Sequence, residues 1–154
     1  MKKILFGLAI IFTTQQIFSQ EIGIVDFGKS FYAIQNSANS QFGNTCEGEG
    51  KVLIYCVSDG SKVILMFRNN KFSDLQIWTL YSSKRIAELE LERQIKDFAK
   101  EHNMTPNYSN GLATFTASEM EVGATFKIVE YNRSFYVQII YQYKPLLGYP
   151  ITEY

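Results

Sequence analysis

The sequence is poor in the residues on which most metal and cofactor sites depend. It has one histidine and two cysteines in 154 residues. The lone His102 excludes sites built on several imidazoles, and two cysteines with one distant histidine match neither the ligand number nor the spacing of a structural zinc site. Glycine-rich nucleotide loops, His-Glu-x-x-His and EF-hand patterns are also missing. We therefore expect no metal and no cofactor.

Clustered positive charge and long apolar runs are missing as well. Beyond the first residues, lysines and arginines stand singly or in the short pair Lys84-Arg85. Nucleic acids and anionic membrane surfaces attract clustered basic residues, so we expect neither as a partner. The apolar run from Ile4 to Phe12 is shorter than the roughly 20 helical residues that cross a bilayer. We therefore expect no stable membrane insertion.

The N-terminal segment predicts export. Lys2 and Lys3 precede the apolar run, and a polar stretch ending in Ser19-Gln20 follows it, which is the pattern of a secretory signal peptide at residues 1–20. Cleavage after Ser19 or after Gln20 removes two lysines and no acid, so the formal net charge changes from 0 to −2. A lipid anchor would need a cysteine next to the run. Since the first cysteine is Cys46, we expect a soluble bacterial protein, periplasmic or secreted.

The two cysteines, Cys46 and Cys56, enclose a short acidic and glycine-rich stretch. In an oxidising compartment an even cysteine count favours a disulfide. Closing a loop of about ten residues would contribute roughly 2 to 3 kcal/mol by restricting the unfolded chain. We predict a Cys46–Cys56 bridge; the alternative is two unpaired thiols, with Cys56 inside a strand.

Hydrophobic periodicity predicts one α+β domain at residues 21–144, followed by a C-terminal tail at residues 145–154. Each half is one helix followed by a three-strand antiparallel meander. A small sheet hides only part of its apolar surface, so we predict one antiparallel sheet with both helices packed on one face. The predicted elements are a strand at 22–26, a helix at 30–42, strands at 52–58, 62–68 and 75–82, a helix at 84–102, and strands at 112–117, 124–131 and 134–143.

This order of elements over residues 22–143, with the helix opening Phe27-Gly28-Lys29-Ser30, resembles a known architecture. It is similar to the tandem helix-plus-meander folds of small exported bacterial proteins, including beta-lactamase inhibitor proteins and the outer-membrane assembly lipoproteins of the SmpA type. The resemblance implies the α+β layout and transfers no site residue. The lipidated cysteine of those lipoproteins has no counterpart near the N-terminus of this chain.

Aromatic residues make up 15% of the chain. In the last predicted strand, alternation places Tyr136, Gln138 and Gln142 on one face, and Gln76 and Trp78 extend such a surface from an earlier strand. Aromatic and amide side chains combine apolar area with hydrogen bonding, which suits contact with a protein or a glycan. We predict these five residues as a binding site; the alternative is an ordinary outer sheet face.

Candidates for catalysis are few. His102 ends a predicted helix, where an imidazole favours the helix terminus and needs no catalytic explanation. The carboxylate pairs Glu47 with Glu49 and Glu119 with Glu121 suit acid–base work on a sugar, but their spacing is common in solvated turns. We predict no catalytic residue and a non-enzymatic module that binds an unknown envelope or secreted protein. The alternative is a small glycan-binding protein or hydrolase that uses these carboxylates.

Overall fold

The structure, a computed structural model, describes residues 22–47, 52–117 and 120–151. The predicted signal peptide at residues 1–20 lies outside these ranges. The elements in chain order are a 3-10 turn Ile24–Asp26, α1 Phe31–Phe42, β1 Val52–Cys56, β2 Lys62–Arg68, β3 Lys71–Tyr81, α2 Lys84–His102, β4 Asn107–Ser109, β5 Leu112–Phe115, β6 Val122–Tyr131, β7 Ser134–Tyr143 and a 3-10 turn Lys144–Leu146.

The seven strands form one antiparallel sheet in the order β1-β2-β3-β7-β6-β5-β4. The two halves of the chain join where β3 pairs with β7, from Asp74 opposite Gln142 to Tyr81 opposite Phe135. Each half thus contributes its last strand to the centre of the sheet. The predicted α+β class with an antiparallel sheet is confirmed.

Both helices pack on the same face of the sheet. The ring of Phe31 in α1 lies 4.9 Å from that of Phe67 in β2, and the ring of Phe98 in α2 lies 5.3 Å from that of Phe126 in β6. The strand register places Phe67 and Phe126 on one side. We call this side the helix face and the opposite side the open face.

The helices match their predicted bounds closely because their ends carry clear signals. In α2 the Ser83 hydroxyl accepts a hydrogen bond from the Ile86 amide at 3.3 Å, and Asn103 takes a left-handed conformation with φ 50° at the other end. Ser30 precedes α1 in an extended conformation, without a side-chain capping bond. None of the helices in the described ranges is long and apolar enough to cross a membrane.

The predicted strand at residues 22–26 is wrong. Ile24–Asp26 is a 3-10 turn, and the Asp26 carboxylate accepts a hydrogen bond from the Gly23 amide at 2.9 Å. An aspartate that bonds a nearby backbone amide stabilises a turn at the expense of extended structure. Gly28 follows with φ 86°, a conformation that glycine adopts without steric cost.

The strand β3 begins at Lys71 and not at the predicted Leu75. Asn69 and Asn70 have φ values of 51° and 58°, which makes the connection a tight two-residue hairpin turn. The polar pair Ser73-Asp74 therefore belongs to the strand, where a register shift next to Met66 accommodates it.

The second half contains a strand that the sequence did not predict. The three-residue β4 pairs with β5 around a turn in which Asn110 and Gly111 have φ values of 50° and 75°. The predicted elements place residues 103–111 in a connection between a helix and a strand. Three exposed residues carry too little hydrophobic alternation to indicate a strand.

Candidate functional site

The strands β3 and β7 bring all five predicted binding residues together on the open face. Trp78 lies directly opposite Gln138, and Gln76, Tyr136 and Gln142 occupy neighbouring positions on the same side of these two strands. As a result, Gln76 and Gln138, which are 62 positions apart in sequence, are hydrogen-bonded neighbours. Their role in binding stays a prediction.

Two of the glutamines form an inward amide cluster. The Gln76 Oε1 accepts hydrogen bonds from Gln138 Nε2 at 2.8 Å and from Trp78 Nε1 at 3.2 Å. Gln138 is only 3% exposed, and its Oε1 has no hydrogen-bond partner among the described residues. Mutual pairing offsets most of the cost of burying these polar groups. Gln138 therefore forms part of the floor of the open face.

Three aromatic rings lie beside these amides and differ in their exposure to solvent. The Trp78 ring meets Tyr136 edge to face at a centroid distance of 5.7 Å and Tyr131 at 6.5 Å. Tyr136 is 7% exposed, Trp78 is half-buried, and Tyr131 is 47% exposed. Tyr131 thus presents the most accessible aromatic surface of the three. The sequence analysis did not assign it to the site, because its place beside Trp78 depends on strand pairing.

The other end of the open face holds a buried ionic network. The Asp74 carboxylate accepts hydrogen bonds from Ser73 Oγ at 2.6 Å, Gln142 Nε2 at 2.9 Å and Arg68 Nε at 3.2 Å. Asp74 is 2% exposed. Gln142 therefore ties β7 to β3 through a carboxylate. Arg68 and Asp74 are not among the predicted site residues, because Asp74 falls in the connection between the predicted strands at 62–68 and 75–82.

The C-terminal tail reaches this network. Arg68 Nη1 donates to the Tyr149 carbonyl oxygen at 3.0 Å, and Ile151 forms an isolated antiparallel bridge with Arg68. Leu146, at the start of the tail, is buried. The tail therefore lies against the Arg68 end and leaves the Trp78 end of the open face to other contacts.

Half-buried apolar side chains surround these polar groups across the open face. No element in the described ranges packs over this face in the way that α1 and α2 pack over the other one. These side chains are partly accessible to solvent, and Tyr131 is a large hydrophobic residue of this face that is exposed. The residues are Val52 and Ile54 in β1, Ile64 and Met66 in β2, Val129 in β6 and Ile140 in β7.

The predicted disulfide between Cys46 and Cys56 is confirmed, with a Cα–Cα distance of 5.7 Å. The loop that it closes carries Glu47, whose carboxylate oxygens accept hydrogen bonds from Lys62 Nζ at 2.9 and 3.1 Å. Lys62 Nζ also lies 5.5 Å from the centroid of the Tyr131 ring. The loop therefore adjoins the aromatic end of the open face.

Each of the two predicted carboxylate pairs has one member outside the described residues, so neither pair is tested. Glu47 is bound to Lys62 beside β1, whereas Glu121 precedes β6, and three strands lie between β1 and β6 in the sheet. Glu49 and Glu119 lie outside the described residues. At the end of α2, the His102 ring packs on Phe98 with a centroid distance of 4.3 Å. The described ranges contain no group of three or more potential ligand side chains that could hold a metal ion.

The shifted pKa values within the described ranges belong to the helix side of the sheet. Burial, followed by the negative charge of Glu90, raises the pKa of Tyr81 to about 12. The hydrogen bond from Arg93 is the main cause of the lowered pKa of Glu90. Burial also raises the pKa of Tyr55 to about 12, and its hydroxyl donates to Asn39 at 2.8 Å. These shifts follow from packing and do not mark a reactive group on the open face.

No protein-family model, curated protein or solved structure matches this chain. The similarity in element order to exported helix-plus-meander proteins therefore stays a prediction.

Proposed function

We propose that this chain is an exported, non-enzymatic protein of the bacterial envelope that binds another protein through the open face. One observation carries the proposal: a seven-stranded sheet has both described helices on one side, and half-buried apolar residues surround Trp78 and Tyr131 on the other. Apolar and aromatic surface at this density suits a protein partner, since aromatic residues are enriched at protein interfaces.

The orientation of the amides supports a protein ligand over a glycan. Gln76 and Gln138 bond to each other, and Gln142 bonds to Asp74, so these amides are engaged within the sheet. Recognition of a sugar would need such groups to meet hydroxyls. The accessible part of the face offers mainly aromatic and aliphatic contact, and buried anchors of this type dominate protein interfaces.

The disulfide supports export. Structural disulfides persist in oxidising compartments and are rare in the cytosol. The Cys46–Cys56 bridge joins two exposed residues, where cytosolic reductants would reach it. With the predicted signal peptide, this favours the periplasm or the medium as the place where the protein acts.

The test is affinity capture with residues 20–154 from envelope and spent-medium fractions of the source cell, read by mass spectrometry. Trp78→Ala removes the central aromatic residue of the open face. Leu89→Ala is the matched control, because Leu89 is 61% exposed on α2 and points away from the sheet. We expect a specific partner to bind the wild-type chain and Leu89→Ala and to be lost from Trp78→Ala.

Tyr131→Ala serves as a second variant because Trp78 is half-buried and its loss could weaken the fold. Tyr131 is 47% exposed, so its removal tests the same surface at a smaller cost in stability. Circular dichroism spectra of all variants establish that they are folded. A complex that survives both open-face substitutions, or that Leu89→Ala abolishes equally, contradicts the proposal.

A further inference from the structure

The disulfide lies at one end of a row of side chains that crosses the open face. Cys56 in β1 is opposite Lys62 in β2, Lys62 is opposite Trp78 in β3, and Trp78 is opposite Gln138 in β7. Directly opposed residues in an antiparallel sheet are in contact distance. The disulfide is therefore two positions away from the aromatic residue at the centre of the proposed docking surface.

The bridge holds a short segment against the edge of the sheet. The Cys46 amide donates to the Ile54 carbonyl oxygen at 2.9 Å, and Glu47 forms an isolated antiparallel bridge with Ile54. This segment lies along the side of β1 that faces away from β2. It also places the Glu47 carboxylate on Lys62, so that the positive charge beside Tyr131 is neutralised.

The noncovalent contacts of this segment are weak. The Glu47 side chain is 53% exposed and that of Lys62 is 15% exposed, so solvent screens their ion pair from the carboxylate side and reduces its contribution to stability. An isolated bridge at a sheet edge adds little more. The covalent bond is therefore the main restraint on the segment, and because both cysteines are exposed, a dithiol can reach it.

We propose that the Cys46–Cys56 disulfide is a redox switch that sets the charge at the Trp78 end of the open face. With the bond intact, Glu47 compensates Lys62. When the bond is reduced, the segment leaves β1, Glu47 withdraws, and the ammonium group of Lys62 stands uncompensated beside Trp78 and Tyr131. The regulatory meaning of this change rests on the proposed docking function.

The chemistry is thiol–disulfide exchange with a dithiol oxidoreductase or a small dithiol. One thiolate of the reductant attacks a cysteine sulfur, breaks the Cys46–Cys56 bond and forms a mixed disulfide, while the other cysteine leaves as a thiolate and takes up a proton. The second thiol of the reductant then attacks the mixed disulfide and releases the first cysteine as a thiol. The bridge gains two electrons and two protons, and the dithiol becomes a disulfide.

Trp78 is the single tryptophan of the chain, so its fluorescence reports on this end of the face alone. The experiment compares quenching by iodide, an anion, with quenching by neutral acrylamide, before and after treatment with dithiothreitol. An uncompensated Lys62 attracts iodide, and we expect its quenching constant to rise about twofold with little change for acrylamide. Hydrogen exchange at the Cys46 amide, which donates to Ile54 in the oxidised chain, should accelerate about tenfold as the segment leaves the sheet edge.

Three variants distinguish the effect of the Lys62 charge from the effect of breaking the disulfide. Glu47→Gln should show the raised iodide quenching while its disulfide is intact. Lys62→Met should lose the iodide response in both redox states. Cys46→Ser combined with Cys56→Ser should match the reduced wild-type chain and be insensitive to dithiothreitol.

Unchanged iodide quenching and unchanged hydrogen exchange at the Cys46 amide after reduction would overturn the proposal. Loss of the whole fold on reduction would also overturn it, because the disulfide would then stabilise the entire domain and not the Cys46–Glu47 segment alone. Neither readout requires a binding partner. A failed capture experiment therefore bears on the docking function alone, and a failed quenching experiment bears on the switch alone.

Discussion

The two faces of the sheet are built on different physical principles. On the helix face, buried aromatic and aliphatic side chains such as Phe67, Phe126 and Ile139 meet the helices. On the open face, the deepest residues are polar, with Gln138 and Asp74 at 3% and 2% exposure, and the aliphatic residues are only half-buried. The usual arrangement of an outer sheet face, with polar groups at the surface and apolar groups below, is thus partly inverted.

Because of this difference, only part of the open face is accessible to a partner. Polar groups at the centre of the open face are paired with one another, which stabilises the sheet and removes them from outward contacts. Trp78, Tyr131 and the half-buried aliphatic residues remain accessible. A residue on the uncovered face is therefore not always accessible to a partner. Tyr136, for example, lies on that face and is buried.

Two consecutive isoleucines in β7 provide the largest test of this contrast. Ile139 is 3% exposed on the helix face, whereas Ile140 is half-buried on the open face. Ile139→Ala leaves a cavity under the helices and should lower the free energy of unfolding by about 3 to 4 kcal/mol. Ile140→Ala removes the same atoms from a partly hydrated site and should cost about 1 kcal/mol. Urea unfolding monitored by circular dichroism measures both values.

Equal losses for the two variants would contradict the assignment of an uncovered face, because an equal loss would require Ile140 to be packed as tightly as Ile139. A larger loss for Ile140→Ala would show that another element covers the open face.

The buried ionic network provides the next test. Asp74→Asn keeps the shape of the side chain but leaves the Arg68 guanidinium without its carboxylate, so we expect a loss of about 2 to 3 kcal/mol in the free energy of unfolding. The double variant Arg68→Met with Asp74→Leu removes both charges. It should be more stable than Asp74→Asn, since breaking a buried ion pair costs more than replacing it with apolar residues.

A double variant less stable than Asp74→Asn would show that the pair contributes net attraction and that the open face depends on charge as well as on packing. Guanidinium chloride would screen the pair, so urea is the suitable denaturant for this measurement.

The elements that could be predicted from the sequence are those with strong local signals. The bounds of α2, β2 and β7 agree with their predicted ranges, because long periodic runs end at Ser83, Asn103 or tight turns. The disulfide could also be predicted, since an even cysteine count and the predicted signal peptide favour pairing.

The features that could not be predicted depend on contacts between residues that are distant in sequence. The start of β3 was missed because Ser73-Asp74 has the local character of a turn. Hydrogen bonds from the distant Gln142 and Arg68, together with one from Ser73, make a buried aspartate tolerable there. The burial of Gln138 likewise depends on β3 pairing with β7. Alternation could assign residues to a face but could not show which of them the neighbouring strands would cover.

A second arginine–carboxylate pair lies on the surface of α2. We expect its loss to change the free energy of unfolding less than loss of the buried pair Arg68 and Asp74. Arg93 binds Glu90 and also Asp97, and 40% of its side chain is exposed. Solvent screens such a pair, so Glu90→Gln should lower the free energy of unfolding by only about 0.5 kcal/mol at pH 7.

The pH dependence of this effect follows from the direction of the shift. The hydrogen bond from Arg93 holds the pKa of Glu90 below its ordinary value of 4.5. The charged form is therefore favoured by folding, and its contribution is complete above the unfolded pKa and disappears as the pH falls through the folded pKa. Urea unfolding of the wild-type chain and Glu90→Gln at pH 7 and pH 3 should show the two stabilities converging at the lower pH. A difference that is constant with pH would assign the effect to packing of the side chain and not to its charge.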